Sequence, residues 1–117
     1  SFKAHTLYGI NAQEAGNSKQ AIESYRKALA INADLPVVLN NLAWLLMEQN
    51  QLADALQMAE RAAKLTDGNA SILDTYGWIA YKAGKKSLAL ENLEKAAALQ
   101  PDNAEIKQHL ETVRSAR

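Results

Sequence analysis

Two histidines, His5 and His109, are the only imidazoles in the chain, and they stand at opposite ends of it. A general base must reach its nucleophile within hydrogen-bond distance. The sequence sets no serine beside either histidine, so a Ser-His-Asp arrangement fails. His5 reads as a packing residue between helices, and His109 as a solvated residue on the polar side of the last helix. A metal site shared by the two is implausible. There is no cysteine, which excludes disulfides, thiolate zinc sites and thiol catalysis. "AGKKS" at 83–87 has one glycine and lacks the leading glycine and spacer of a phosphate loop. "NAS" at 69–71 fits the glycosylation triplet, but Asn69 more simply caps a helix. Glu14, Glu48, Glu91 and Glu94 fall on helix surfaces near lysines, the pattern of solvated helices. No catalytic, cofactor or metal site is expected, and the protein is expected not to be an enzyme.

What remains is a surface, and its elements follow from composition and period. The 117 residues suit one domain. Hydrophobic residues make up 48%, a globular fraction, and the excess of alanine and leucine favours helix. Thirteen basic and thirteen acidic residues cancel, so the chain lacks the electrostatic footprint of a nucleic-acid binder. Lys82, Lys85 and Lys86 cluster, but acidic residues follow closely, and they read as a solvated turn. No apolar run approaches the roughly 18 residues that cross a bilayer, so direct membrane insertion is not expected. "SFKAHTLYG" opens inside a helical pattern without methionine. The expectation is therefore the C-terminal part of a longer repeat protein, with further repeats upstream.

Sliding the sequence by 34 residues aligns Gly9, Ala43 and Gly77; Ala21, Ala55 and Ala89; and Ala28, Ala62 and Ala96. Trp78 follows Trp44 at the same interval. Tyr8, Leu42 and Tyr76 precede the first small residue, and Gly16, Asn50 and Gly84 mark a turn that needs a left-handed residue. First helices are predicted over residues 2–15, 36–49 and 70–83, and second helices over about 19–32, 53–66 and 87–100. Pro36 suits a first helical turn, and Asp102 with Glu105 reads as a capping box for a last helix. The recurring small residues let paired helices approach closely, and each pair buries its apolar stripe only by stacking on a neighbour.

This pattern resembles the tetratricopeptide repeat. The matches are Tyr8-Gly9, Ala21, Tyr25 and Ala28; Leu42-Ala43, Ala55 and Ala62; and Tyr76-Gly77, Ala89, Ala96 and Pro101. Departures are His5 and Ala59 at positions usually aromatic, and Ala33 and Asp67 in place of the closing proline. The resemblance implies an all-α, right-handed α-solenoid forming one domain over 1–117. Its repeats would span about 2–35, 36–69 and 70–103, with a capping helix over 104–116 carrying Ile106, Leu110 and Val113 on one face.

In such arrays the first helices line a concave groove. As the resemblance implies, the groove here takes in Ile10, Gln13, Asn40, Trp44, Met47, Asp74, Trp78 and Tyr81. Large aromatics beside a methionine form a surface that anchors partners. The expected function is thus a non-catalytic scaffold holding a protein or peptide segment, with no nucleic-acid partner. Arrays that clamp the carboxylate tail of heat-shock chaperones need lysines, an arginine and asparagines on the first helices. The corresponding residues here are Thr6, Ile10, Asn41, Ser71 and Thr75; only Asn41 fits, so that function is rejected. The alternative expectation is a structural spacer that associates weakly with itself through an exposed front face bearing Phe2, Ala4 and Tyr8. "NNLAWLL" and "ILDTYGWIAYKAG" are similar in wording to bacterial envelope proteins of this family, such as lipoproteins of exopolysaccharide and PEP-CTERM systems. That similarity implies a bacterial source and favours periplasm or envelope over cytoplasm.

Overall fold

The computed structural model describes residues Ser1–Arg117 as seven helices with no strand. They are α1 (Phe2–Glu14), α2 (Ser18–Ile31), α3 (Pro36–Glu48), α4 (Leu52–Leu65), α5 (Ala70–Lys82), α6 (Lys86–Leu99) and α7 (Ala104–Ser115). Each helix end lies within a residue or two of its predicted place, because the punctuation acts as the sequence suggests. Gly16, Asn50 and Gly84 have φ of 79°, 61° and 81° and close the first helix of each pair. Asn69 accepts a hydrogen bond from the Ile72 N–H at the start of α5, and Pro36 opens α3. The cap of α7 differs from expectation. Asn103, not Asp102, precedes the helix and accepts from the Ile106 N–H. Asn103 lies 34 residues after Asn69, so the repeat continues into α7, and this outweighs the local capping-box pattern.

Three antiparallel pairs, α1–α2, α3–α4 and α5–α6, stack in order, and α7 closes the last pair by lying on α6 and α5. Close approach within a pair rests on the small residues. A Cβ built on Gly77 would stand 2.7 Å from Leu93 Cγ and 3.1 Å from the Ala89 carbonyl oxygen, and one on Gly9 would meet the Tyr25 ring at 2.5 Å. Ala21, Ala55 and Ala89 on the opposing helices are fully buried. The stack extends to 42 × 27 × 23 Å. A first core runs from Tyr25 and Ala28 through Leu42 and Leu46 to Tyr76 and Ile79. A second, around Leu93, Leu110 and Val113, lies beneath α7.

One repeat position shows what stacking does. Tyr8 is 60% exposed, whereas its equivalents Leu42 and Tyr76 are 0% and 7% exposed. In the later repeats this position packs against the second helix of the preceding pair, and the Tyr76 hydroxyl reaches Glu60 on α4 at 3.2 Å. In the first repeat the same face of α1 is open, with Leu7 also 57% exposed. Burial, reinforced by the Glu60 carboxylate, pushes the Tyr76 hydroxyl up to about 12. The Lys64 and Tyr76 hydrogen bonds hold Glu60 below its ordinary value.

Candidate binding groove

The first helices α1, α3 and α5 carry the expected groove residues, and the fold sets five of them in three hollows. Trp44 and Met47 project one turn apart from α3, and Trp78 from α5. With Lys82 and Leu52 they line a central hollow of about 390 Å³. Ile10 lies towards the front, in a largely apolar hollow of about 420 Å³ shared with Phe2, Leu7, Leu35 and Val37. Tyr81 lines a third hollow, against Gln108 and Thr112 of α7. Both tryptophans are half-buried.

Trp78 is the more enclosed by named neighbours. The Lys82 ammonium lies 5.0 Å from the centre of its ring, within cation–π range. The Tyr81 ring centre is 5.2 Å away at 36°. On the α7 side the His109 imidazole stacks on Trp78, with centroids 4.1 Å apart and planes 16° from parallel. His109 Nδ1 and Asp74 Oδ1 are 2.8 Å apart, and these two side chains are only 13% and 9% exposed.

Two expectations are thereby corrected. His109 is not on a solvated face. It joins α7 to α5, because packing α7 on the third pair turns this side of the helix inward. Asp74 is not open to the groove, since α7 closes over it and His109 occupies its carboxylate. The period held the signal: 34 residues before His109 stands Thr75, an inward-facing buried position.

Gln13 is committed elsewhere, and Asn40 is partly buried. The buried Tyr25 hydroxyl donates to Gln13 Oε1 at 2.6 Å and accepts from Asn41 Nδ2 at 3.3 Å. Burial raises the Tyr25 pKa, the Asn41 bond opposes that shift, and the Glu14 charge adds to it. Asn40 Oδ1 is buried without a donor. Ile10, Trp44, Met47, Trp78 and Tyr81 are the expected groove residues that line the three hollows.

Comparison with known proteins finds the same kind of repeat. A family model described as tetratricopeptide repeat matches residues 12–77, and another of that description matches residues 70–103. The chain belongs to the tetratricopeptide-repeat family. It is 41% identical over 56 residues to a probable biofilm formation methyltransferase, WspC, of Pseudomonas putida, a match covering 48% of this chain and 13% of that protein. It is 36% identical over 66 residues to tetratricopeptide repeat protein 36 of Mus musculus, covering 56% of this chain and 36% of that one. The alignments thus span only a minor part of either relative. Among solved structures, the first tetratricopeptide domain of Spaghetti (RPAP3), bound to the HSP90 peptide SRMEEVD, superposes with a TM-score of 0.89. That superposition is at 20% identity and covers 97% of this chain and 90% of the other. At that identity the likeness shows the tetratricopeptide fold alone.

Proposed function

We propose that this tetratricopeptide array is a non-catalytic scaffold that binds a protein or peptide segment in its concave groove. The observation that carries the reading is the central hollow, where Trp44, Met47 and Trp78 form an apolar wall beside Glu48 and Lys82. Two half-buried indoles with charged side chains close by suit a segment that inserts apolar side chains and pairs its polar groups at the rim. A related fold that holds a peptide supports the reading. Thr6, Ile10, Asn41, Ser71 and Thr75, the positions that correspond to a carboxylate clamp, carry no lysine or arginine, which argues against that mode of grip. Ile10 and Tyr81 would extend contact to either side. The test is to pan a random peptide library on the immobilised protein and measure the selected peptides against Trp44→Ala. Selected peptides should bind the variant at least about tenfold more weakly, as loss of an aromatic anchor does. Peptides that bind both proteins equally would place the site elsewhere.

A second reading rests on the open face of α1. Leu7 and Tyr8 are exposed, whereas Leu42 and Tyr76, the equivalents of Tyr8 in the later repeats, are buried, so the face could stack on a second copy. Mass that rises with concentration, and does so no longer in Tyr8→Glu, would support it. A monomer at all concentrations would reject it.

A further inference from the structure

We infer that Asp74, Glu105 and His109 form a binding site for one divalent transition-metal ion, best suited to zinc, at the junction of α5 and α7. One ligand atom from each residue lies within 4.8 Å of the other two. Glu105 and His109 stand one turn apart on α7, a spacing that projects both from one helix face. Asp74 meets them from α5 and is buried there, and the Trp78 ring stacked on His109 limits how the imidazole can turn. The set therefore joins two elements and is part-ordered before any ion arrives.

Charge supplies a second argument. His109 is the only basic group within ion-pair distance of Asp74, and Glu105, whose carboxylate lies within 4.8 Å of the other two ligand atoms, makes no ion pair of its own; every other ion pair of the chain lies elsewhere. Asp74 is buried, where a carboxylate calls for a compensating cation or hydrogen-bond donors. A divalent cation would neutralise both carboxylates. One imidazole nitrogen with two carboxylate oxygens is a borderline donor set, in which zinc takes three protein ligands and keeps a fourth position for water. Ligand bonds of about 2.0–2.2 Å set tetrahedral ligand atoms roughly 3.3–3.6 Å apart. Asp74 and His109 share a hydrogen bond at 2.8 Å, so an ion would displace the proton between them and part the two atoms by about 0.5–0.8 Å. The exposed Glu105 side chain has solvent in which to swing inward. His109 would present the Nδ1 lone pair to the ion and carry its ring proton on Nε2. The bound ion would tie α7 to the third repeat.

Trp78 makes the site readable. In the full chain carrying Trp44→Phe, Trp78 is the sole indole, and it touches the proposed ligand His109. Titrating cobalt(II) should quench its emission saturably at one equivalent, and zinc should compete with the cobalt and raise the melting temperature. Glu105→Gln, at an exposed position that should fold normally, should weaken both effects about tenfold or more, since even outer partners of a metal site are worth that much. His5→Ala should change neither. Quenching that does not saturate, or binding equally tight in Glu105→Gln, would overturn the site.

Discussion

The His109 ring lies flat on Trp78, 4.1 Å between centroids, while its Nδ1 faces the Asp74 carboxylate at 2.8 Å. One residue of the last helix thus stacks on an aromatic of the central hollow and pairs with a buried carboxyl group. Replacing His109 by Ala removes a stacked pair worth about 0.5–1.5 kcal/mol. It also strips a buried carboxylate of its hydrogen bond, at about 1–3 kcal/mol. The expected loss of stability is about 2–3 kcal/mol by urea denaturation, with Trp78 more accessible to acrylamide. A variant as stable as the parent, with unchanged quenching, would show that the stack fixes nothing.

That relationship also marks where reading the sequence stopped. The helix pairs, their left-handed turns and the close-approach small residues were legible because each recurs three times at one interval. Asp74–His109 was not, because it joins α5 to a helix with only one copy, whose polar composition resembles a solvated face. Extending the period by one more step would have set Asn103 on Asn69 and His109 on Thr75, correcting both the cap and the orientation. The division of the groove into three hollows depends on side-chain packing between repeats, which no spacing reveals.

Gly77 should tolerate nothing larger. Alanine ordinarily improves on glycine within a helix by roughly 0.5–1 kcal/mol. Here its Cβ would press on Leu93 and on the Ala89 carbonyl oxygen, which is backbone and cannot swing aside. Gly77→Ala should therefore destabilise despite its propensity, and Gly77→Leu by about 1–3 kcal/mol, as overpacking does. Thermal melts of both variants decide this, and an unchanged transition for Gly77→Leu would refute the close approach.

The turn position gives the opposite sign. Asn50 holds φ of 61° where the other two repeats use glycine. A left-handed conformation costs a residue bearing a Cβ roughly 1–2 kcal/mol, and asparagine less than most. Asn50→Gly should then be neutral or stabilise by up to about 1 kcal/mol, read as a shift in the urea midpoint. A clear loss of stability would mean that the Asn50 side chain contributes a contact of its own.

Alkaline pH should act through Tyr76. Its hydroxyl titrates near 10 when unfolded and at about 12 in the folded protein. Below pH 10 it is neutral in both states, and its preference for the buried neutral form is fully present. Between pH 10 and 12 the unfolded chain loses this proton first, so stability falls, by at most about 1.4 kcal/mol per pH unit from this group. Tyr76→Phe should lack that part of the decline, because phenylalanine does not ionise. Parallel stability curves for the two proteins above pH 10 would contradict the assignment to Tyr76.

The groove reading makes its sharpest claim about the difference between the two tryptophans. Trp44 and Trp78 occupy equivalent positions and line one hollow, yet only Trp78 carries a stacked imidazole from α7 and a lysine over its ring. In single-indole variants, Trp78→Phe to observe Trp44 and Trp44→Phe to observe Trp78, acrylamide should reach Trp44 more readily. Truncating Trp44 to Ala should lower stability by less than the roughly 3–5 kcal/mol typical of a buried tryptophan, because part of its surface already meets water. It should nevertheless cost a groove-bound peptide about 2 kcal/mol or more. Trp78→Ala should cost both, since it also removes the support of His109. A Trp44 that is fully protected, and whose truncation collapses the fold, would make the repeated tryptophan a device for packing one repeat on the next and leave the groove without its anchor.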